Sequence, residues 1–341
     1  MRRMRPWLAL LLAGIMALAV GCGGSKNQQT NSGSGDGGEK TSWKPTKQVT
    51  MVVPYAAGGS TDQLARAVEA VWSKYVDQPL VVVNKTGAGG YEGREMVARG
   101  KADGHTLMMG YGSGEDLTTP QLRKVNVDPF KDLVGVARLS IHSVLVAVPA
   151  DSPFNSVKEL VEWAKETGEP VTAAVSTAAG SVDLVMRGIG QAAGIEVITI
   201  PHAGGSQAVT TLVGGQTMMG GGHPSEIMPH VKAGRLKAIG VALPERDPSL
   251  PDVPTLIEQG IDFYTWGSVK GIAVAAGTPK EAIEYWEDIF KKICEDEEFK
   301  ATMENLGQPI MYLNSEDFNA FMKQAYNDYA EVIKKLDIKL E

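Results

Sequence analysis

The sequence predicts an α/β protein of two lobes, each a mostly parallel sheet flanked by helices, with a cleft between them. Three observations lead there. The chain has 341 residues, more than one hydrophobic core usually serves, so size favours two α/β domains or one large one. From about residue 48 a unit repeats: a short apolar run, a glycine-rich loop, then a helix with 3.6-residue periodicity. A second set of these units starts near residue 171, and strands alternating with helices in each half imply parallel pairing.

Arg2, Arg3 and Arg5, followed by the apolar run 7–20, read as a secretory signal peptide over residues 1–21. The run is shorter than the roughly 20 residues of a membrane span. It closes on Ala19-Val20-Gly21-Cys22, which resembles the bacterial lipobox with Ala19 where that pattern usually has Leu. An acylated Cys22 would become the mature N-terminus. Residues 22–40 consist of Gly, Ser, Asn, Gln and a few charges, a composition that buries no surface and behaves as a flexible tether. The expected protein is therefore exported and lipid-anchored to the cell membrane through Cys22, facing the periplasm or the cell exterior.

The folded part begins near Thr41. Residues 48–54 form the first strand, and Leu64, Ala65, Val68, Val71, Trp72 and Tyr75 lie on one face of the helix after it. Residues 80–83 form a second strand, residues 84–90 a glycine loop before the next helix, and residues 106–109 a third strand. Runs 134–139 and 144–149 are strands, and Asn155 or Ser156 caps the helix carrying Val157, Leu160, Val161 and Ala164. Strands at 171–175 and 197–200 then lead into loops 176–181 and 201–206. A strand at 237–242, an extended proline-rich stretch at 250–255 and a last strand at 271–275 follow, before two amphipathic helices. Phe318, Phe321, Met322, Ala325, Tyr329, Val332, Ile333 and Leu336 form the core stripe of the final one. The first lobe is expected over residues 41–148 plus 268–341 and the second over 149–267, with hinges near 144–149 and 267–272.

Composition is that of a globular protein, 43% apolar and 21% charged. Loss of the three arginines before Cys22 would take the formal charge from −7 to −10, which disfavours nucleic acid as a partner. An anion site on such a chain has to rest on local dipoles. Helix N-termini supply them: unpaired backbone N–H groups and about half a positive charge. Gly58-Gly59-Ser60-Thr61-Asp62 lets the backbone approach a ligand closely and adds hydroxyls, and the loop around Gly87, Ala88 and Gly90 does the same from the neighbouring strand end. Each charge-assisted bond contributes roughly 1.5–3 kcal/mol and micromolar binding needs about 8 kcal/mol, so two such loops suffice.

Other chemistries find little support. No glycine loop has the pattern of a nucleotide-binding site. Gly204-Gly205-Ser206-Gln207-Ala208 lacks the last glycine of a hydrolase elbow, although His202 is close by. His223, Glu226 and His230 are loosely spaced for a metal, and Pro229 is expected to interrupt their helix. Cys294 falls in a helical core pattern and reads as a buried, inert thiol. No cofactor, metal or catalytic residue is expected.

Taken together, the motifs resemble the extracytoplasmic solute receptors of the tripartite tricarboxylate transporter family, the Bug or TctC-type proteins. The resemblance rests on 54–62 (PYAAGGSTD), 84–90 (NKTGAGG), 103–107 (DGHTL), 233–238 (AGRLKA), 250–255 (LPDVPT) and 276–279 (AGTP) in that order. It implies a type II periplasmic-binding-protein fold, a monomer, and no catalysis. It also implies a small organic carboxylate as ligand and the membrane subunits of a tripartite transporter as partner. A ligand-presenting sensor subunit and a Ser206/His202 esterase are the alternative functions. Two departures bear on the ligand. His202-Ala203 stands where the family commonly has Tyr-Lys, and residues 217–222 lack the aspartates often found there, which favours a plain di- or tricarboxylate over an amino acid.

The expected division of labour follows. Tyr55, Gly59, Ser60, Thr61, Asp62, Gly87, Ala88 and Gly90 hold one carboxylate. Ser176, Thr177, Ser181, His202, Ser206 and His223 close over the rest of the ligand. Protonation of His202 or His223 is expected to strengthen anion binding below neutral pH.

Overall fold

The structure, a computed structural model, describes residues 43–335 and 337–339. The signal-peptide, tether and Cys22 readings lie outside the described residues. The first lobe opens with strand β1 (Val49–Val53), helix α1 (Ser60–Val71), β2 (Leu80–Asn84), α2 (Tyr91–Ala98) and β3 (Thr106–Tyr111). Two single-turn helices follow, α3 (Gly114–Leu117) and α4 (Thr119–Leu122), then β4 (Leu133–His142). The second lobe holds β5 (Leu145–Pro149), α5 (Val157–Thr167), β6 (Val171–Val175), α6 (Ser181–Ala193) and β7 (Val197–Pro201). It ends with α7 (Gly205–Val213), β8 (Met219–Gly222), α8 (Pro224–Lys232) and β9 (Leu236–Val241). The chain then returns through β10 (Ser268–Ala275), α9 (Lys280–Glu295), α10 (Glu297–Asn305), β11 (Ile310–Leu313) and α11 (Ser315–Lys335).

The strands form a six-stranded sheet in the order β11-β4-β10-β3-β1-β2 and a five-stranded sheet in the order β7-β6-β8-β5-β9. Each is mixed. Parallel pairing joins β1 to β2 and β3, and β6 to β7 and β8. The strands on either side of the passages between sheets, β4, β5, β9 and β10, pair antiparallel. The reason is connectivity: helical crossovers make parallel neighbours, whereas a chain that leaves one sheet and later returns brings its strands back in the opposite sense. The passages are residues 143–144 and the long segment 242–267.

Period-2 alternation decides which faces are buried. Met51 and Val53 of β1 and Leu107 and Met109 of β3 pack with Leu64, Val68, Trp72, Trp286, Phe290 and Phe299 beneath α1, α9 and α10. Val52 and Met108 point the other way, into the core shared with Phe318, Met322 and Tyr329 of α11. The second sheet repeats the device: Val146 and Val148 face α5 and α6, while Leu145 and Ala147 face α7 and α8. Cys294 lies in the first core, where burial pushes its thiol up to about 12 and keeps it protonated.

Local signals set the ends. The Ser156 hydroxyl accepts from the Glu159 N–H at 3.1 Å, and Gly168, with φ 72°, closes that helix. Helix α8 differs from expectation: it runs through Pro229 to Lys232. In a helix of 9 residues, Pro229, the sixth, removes one backbone bond, and packing of Ile227 in the core holds the rest. The C-terminal segment reaches the second lobe, where Arg187 Nη1 donates to the Lys339 carbonyl at 3.2 Å.

Candidate functional site

The carboxyl ends of β1 and β3 and the N-termini of α1, α6, α7 and α8 converge on one cleft between the lobes. It is lined by Tyr55, Gly59, Ser60, Thr61, Ser113, Glu115, Ser176, Ser181, Gly205, His223, Glu226, Ser268 and Lys270. The lobes are drawn together around it. Ala56 N–H donates to Ala203 O at 3.2 Å, the Ser206 hydroxyl to Ala57 O at 3.0 Å, and Gln308 Nε2 to Ser225 Oγ at 2.9 Å. Glycine permits this approach. A Cβ on Gly114 would lie 2.3 Å from Ser181 N, and one on Gly204 would lie 3.0 Å from Ala56 N. The free interior, about 20 Å³, has room for about one water.

Three charged side chains meet there, and they come from places the glycine pattern does not mark. Lys270, on β10, is buried at 3% exposure. Its ammonium donates to Thr61 Oγ1 at 2.9 Å and sits 5.8 Å from the centre of the Tyr55 ring. Among the described residues no carboxylate lies within ion-pair distance of it. Burial pushes Lys270 down to about 8, against the pull of Glu226 and Glu115.

Glu226 is the third residue of α8. Its Oε2 accepts from the His223 N–H at 2.9 Å, which completes a capping box. Its Oε1 crosses the cleft and accepts from the Ser60 N–H at 2.7 Å. The N-terminus of α1 therefore holds a carboxylate supplied by the opposite lobe. Glu115 Oε2 accepts from Tyr55 Oη at 2.6 Å and from Ser113 Oγ at 2.7 Å, and Thr177 donates to Oε1 across the cleft. Burial alone would raise the Glu115 carboxyl. Arg94 and the three hydroxyls outweigh it and hold the group below its ordinary value. Arg94 itself is matched to Asp116, with Nε to Oδ1 at 2.9 Å and Nη2 to Oδ2 at 3.1 Å.

His223 Nδ1 donates to the Ser143 carbonyl at 2.9 Å, and the ring packs 5.5 Å from His142, whose two nitrogens are buried without a hydrogen-bond partner among the described residues. Burial, helped by the Lys270 charge, pushes His223 down to about 4 and His142 well below the usual imidazole value. His223 is thus neutral just below pH 7, and the strengthening expected from its protonation there does not arise.

Of the residues named from sequence, Tyr55, Gly59, Ser60, Thr61, Ser176, Ser181 and His223 line the cleft. Thr177 touches it through Glu115. Asp62 points away: its carboxylate accepts from Gly58 N–H at 2.9 Å and Asn84 Nδ2 at 3.0 Å, which fixes the loop. Gly87, Ala88 and Gly90 lie behind the first loop, with Gly90 packed on the Pro54 carbonyl and Arg94. His202 bonds Val175 O and Thr211 Oγ1, and Ser206 bonds Ala57 O, so the two are not paired with each other.

Sequence reasoning missed Lys270, Glu115 and Glu226, with Ser113, Gly205 and Ser268 beside them. A signal for the first exists: Lys270 is the one charge in the otherwise uncharged strand 268–275. A larger groove, about 820 Å³, lies elsewhere, walled by Trp266, Met303, Ile310, Met311 and Phe321. Its walls are mainly apolar, with Arg138, Lys300, Asp247 and Glu304 among them.

A family model described as the tripartite tricarboxylate transporter family receptor, TctC, matches residues 64–338. A UPF0065 protein of Cupriavidus necator, from the gbd 5' region, is 30% identical over 294 residues, covering 86% of this chain and 89% of its own. The structure of the periplasmic binding protein BugD superposes with a TM-score of 0.81 at 29% identity, over 87% of this chain and 100% of that one. A Rhodopseudomonas palustris protein solved with adipate superposes at 0.79 and 25% identity, over 86% and 99%.

Proposed function

Because the chain belongs to the receptor family of the tripartite tricarboxylate transporters, we propose that it captures a small organic carboxylate, of the di- or tricarboxylate class, in the interlobe cleft and delivers it to transporter subunits in the membrane. The observation that carries this reading is Lys270. A buried ammonium with one hydroxyl contact is costly unless a second partner arrives. It sits beside Thr61 at the N-terminus of α1, where backbone N–H groups face the same cleft. A ligand carboxylate supplies the missing partner. The adipate held by the R. palustris relative supports the ligand class.

In this reading the sequence boundary at 148 moves to 142, since β5 belongs to the second sheet, and residues 43–142 and 268–335 form the lobe that seats the carboxylate, through Tyr55, Gly59, Ser60, Thr61 and Lys270. Residues 145–241 form the lobe that closes, bringing Ser176, Ser181, Gly205, His223 and Glu226. The free interior is too small for an organic acid, so entry requires the lobes to part, and residues 143–144 and 242–267 are the hinges. Residues 1–21 act as a signal peptide, Cys22 carries the lipid, and the mature receptor works outside the cytoplasm as a monomer.

Thermal-shift titration against mono-, di- and tricarboxylates, with their uncharged amides as controls, tests this. A ligand that binds only the folded form raises the melting temperature. At least one acid is expected to raise it while its amide does not. A shift with sugars or metal ions alone would overturn the proposal.

A further inference from the structure

The groove of about 820 Å³ shares no lining residue with the cleft. Arg138 of β4, Met303 of α10, Met311 of β11 and Phe321 of α11 wall one side, and Leu243 and Trp266 of the passage 242–267 wall the other. Trp266 and Met311 are 44% and 43% exposed, so large apolar side chains are left in water along it. Its volume is that of a small-molecule site, for which about 300–1,000 Å³ is usual.

One cation is built into this apolar surface. Arg138 lines the groove and is 8% exposed. Its Nε donates to Met311 O at 2.8 Å, and its guanidinium lies 4.7 Å from the centre of the Phe321 ring. Nη1 and Nη2 have no acceptor, and no carboxylate is within ion-pair distance of them, among the described residues. Burial lowers the proton affinity of Arg138 with no neighbouring charge to oppose it, yet a guanidinium stays charged near neutral pH. The other charges of the groove are engaged or outlying. Asp247 accepts from the Ser143 hydroxyl at 2.7 Å and from Ser249 N–H and Oγ at 2.9 and 2.6 Å. Lys300 pairs with Glu297 at 2.7 Å in solvent, and Glu304 is exposed. A buried guanidinium with its terminal nitrogens free is matched by a planar anion that accepts from both.

We propose that the groove is a second binding site, for an amphiphilic carboxylate whose acid group meets Nη1 and Nη2 of Arg138 while its apolar chain or ring covers Trp266, Met303, Met311 and Phe321. Both halves are needed. A short acid leaves the apolar walls wet, and an uncharged hydrocarbon leaves Arg138 without its anion. The site is independent of what the cleft binds, because its cation, its walls and its size are its own.

Isothermal titration of the full mature chain with matched pairs tests this: decanoate and decanol, phenylbutyrate and phenylbutanol, each below the concentration at which it aggregates. At least one acid is expected to bind at one site per chain, about tenfold or more tighter than its alcohol. Arg138→Met should remove about tenfold or more of that affinity, whereas Lys270→Met, in the cleft, should change it by less than about threefold. Arg138→Met also deprives Met311 O of its donor, so Met311→Glu provides a second test at an exposed position. Its carboxylate competes for Arg138 and should weaken the acid by about tenfold or more. An alcohol that binds as well as its acid, uptake of many molecules per chain, or no binding by either acid overturns the proposal. A loss of affinity in Lys270→Met with none in Arg138→Met would place the acid in the cleft, and overturns it too.

Discussion

Loops 54–59 and 84–90 follow adjacent parallel strands, precede helices and are rich in glycine, yet they do different work. The first turns its amides and hydroxyls into the cleft, where Ser60 N–H already holds a carboxylate. The second has positive φ at Gly87, Ala88, Gly89 and Gly90 and packs against the back of the first, with Gly90 on the Pro54 carbonyl. Helix α2 then sends Arg94 to Tyr55 Oη at 3.1 Å and Ser113 Oγ at 2.8 Å. A glycine loop before a helix is an anion seat only when the opposite lobe faces it. Otherwise the same residues serve backbone conformation and support.

The hardest test of this contrast removes the charge that distinguishes the first loop's surroundings. Lys270→Met keeps the length of the side chain and deletes the ammonium. Carboxylate affinity, read by calorimetry, is expected to fall about 10- to 100-fold, the worth of a charge-assisted bond. The melting temperature without ligand should hold or rise, because a buried ammonium with few partners is itself unfavourable. Unchanged affinity would mean that the seat lies elsewhere.

Much of the fold was legible because each half repeats one unit with clear periodicity, and alternation along β1 and β3 is what sends Met51 and Val52 into different cores. Tyr55, Ser60, Thr61, Ser176 and Ser181 were legible for the same reason, since they stand where strands end. The charged half of the site was not. Lys270 meets Thr61 from 209 positions away because β10 returns to the first sheet, and Glu226 meets Ser60 from 166 only where the two lobes close on each other. Glu226 also has an ordinary explanation in sequence, as the third residue of a helix. Its second bond, across the cleft, is invisible without the fold.

A gentler perturbation titrates the same ammonium. Burial sets Lys270 near 8, below its ordinary value of 10.5, so the free receptor loses this proton as pH rises through about 8. Ligand carboxylate favours the charged form. Affinity should therefore be flat from pH 6 to 7.5 and fall by about tenfold per unit above 8 at the limit, until the proton of the complex is lost too. Stability without ligand moves the other way: between about 8 and 10.5 the unfolded chain binds more protons than the folded one, so the fold gains as pH rises. Lys270→Met should abolish both slopes. Equal slopes in the variant would assign them to another group.

The smallest effect on binding is expected from the loop that resembles a seat and is not one. Gly90 has φ 89°, and a Cβ there would come 3.0 Å from the Pro54 carbonyl and 2.9 Å from Arg94 Nη1. Gly90→Ala forces an L side chain into the left-handed region against backbone, at about 1–2 kcal/mol, and the melting temperature should fall by about 2–4 °C for each of them. Affinity should change by less than about threefold, because Gly90 reaches the cleft only through Arg94 and Tyr55. If affinity dropped as far as in Lys270→Met while stability held, the loop at 84–90 would touch ligand after all, and the two glycine loops would be equivalent.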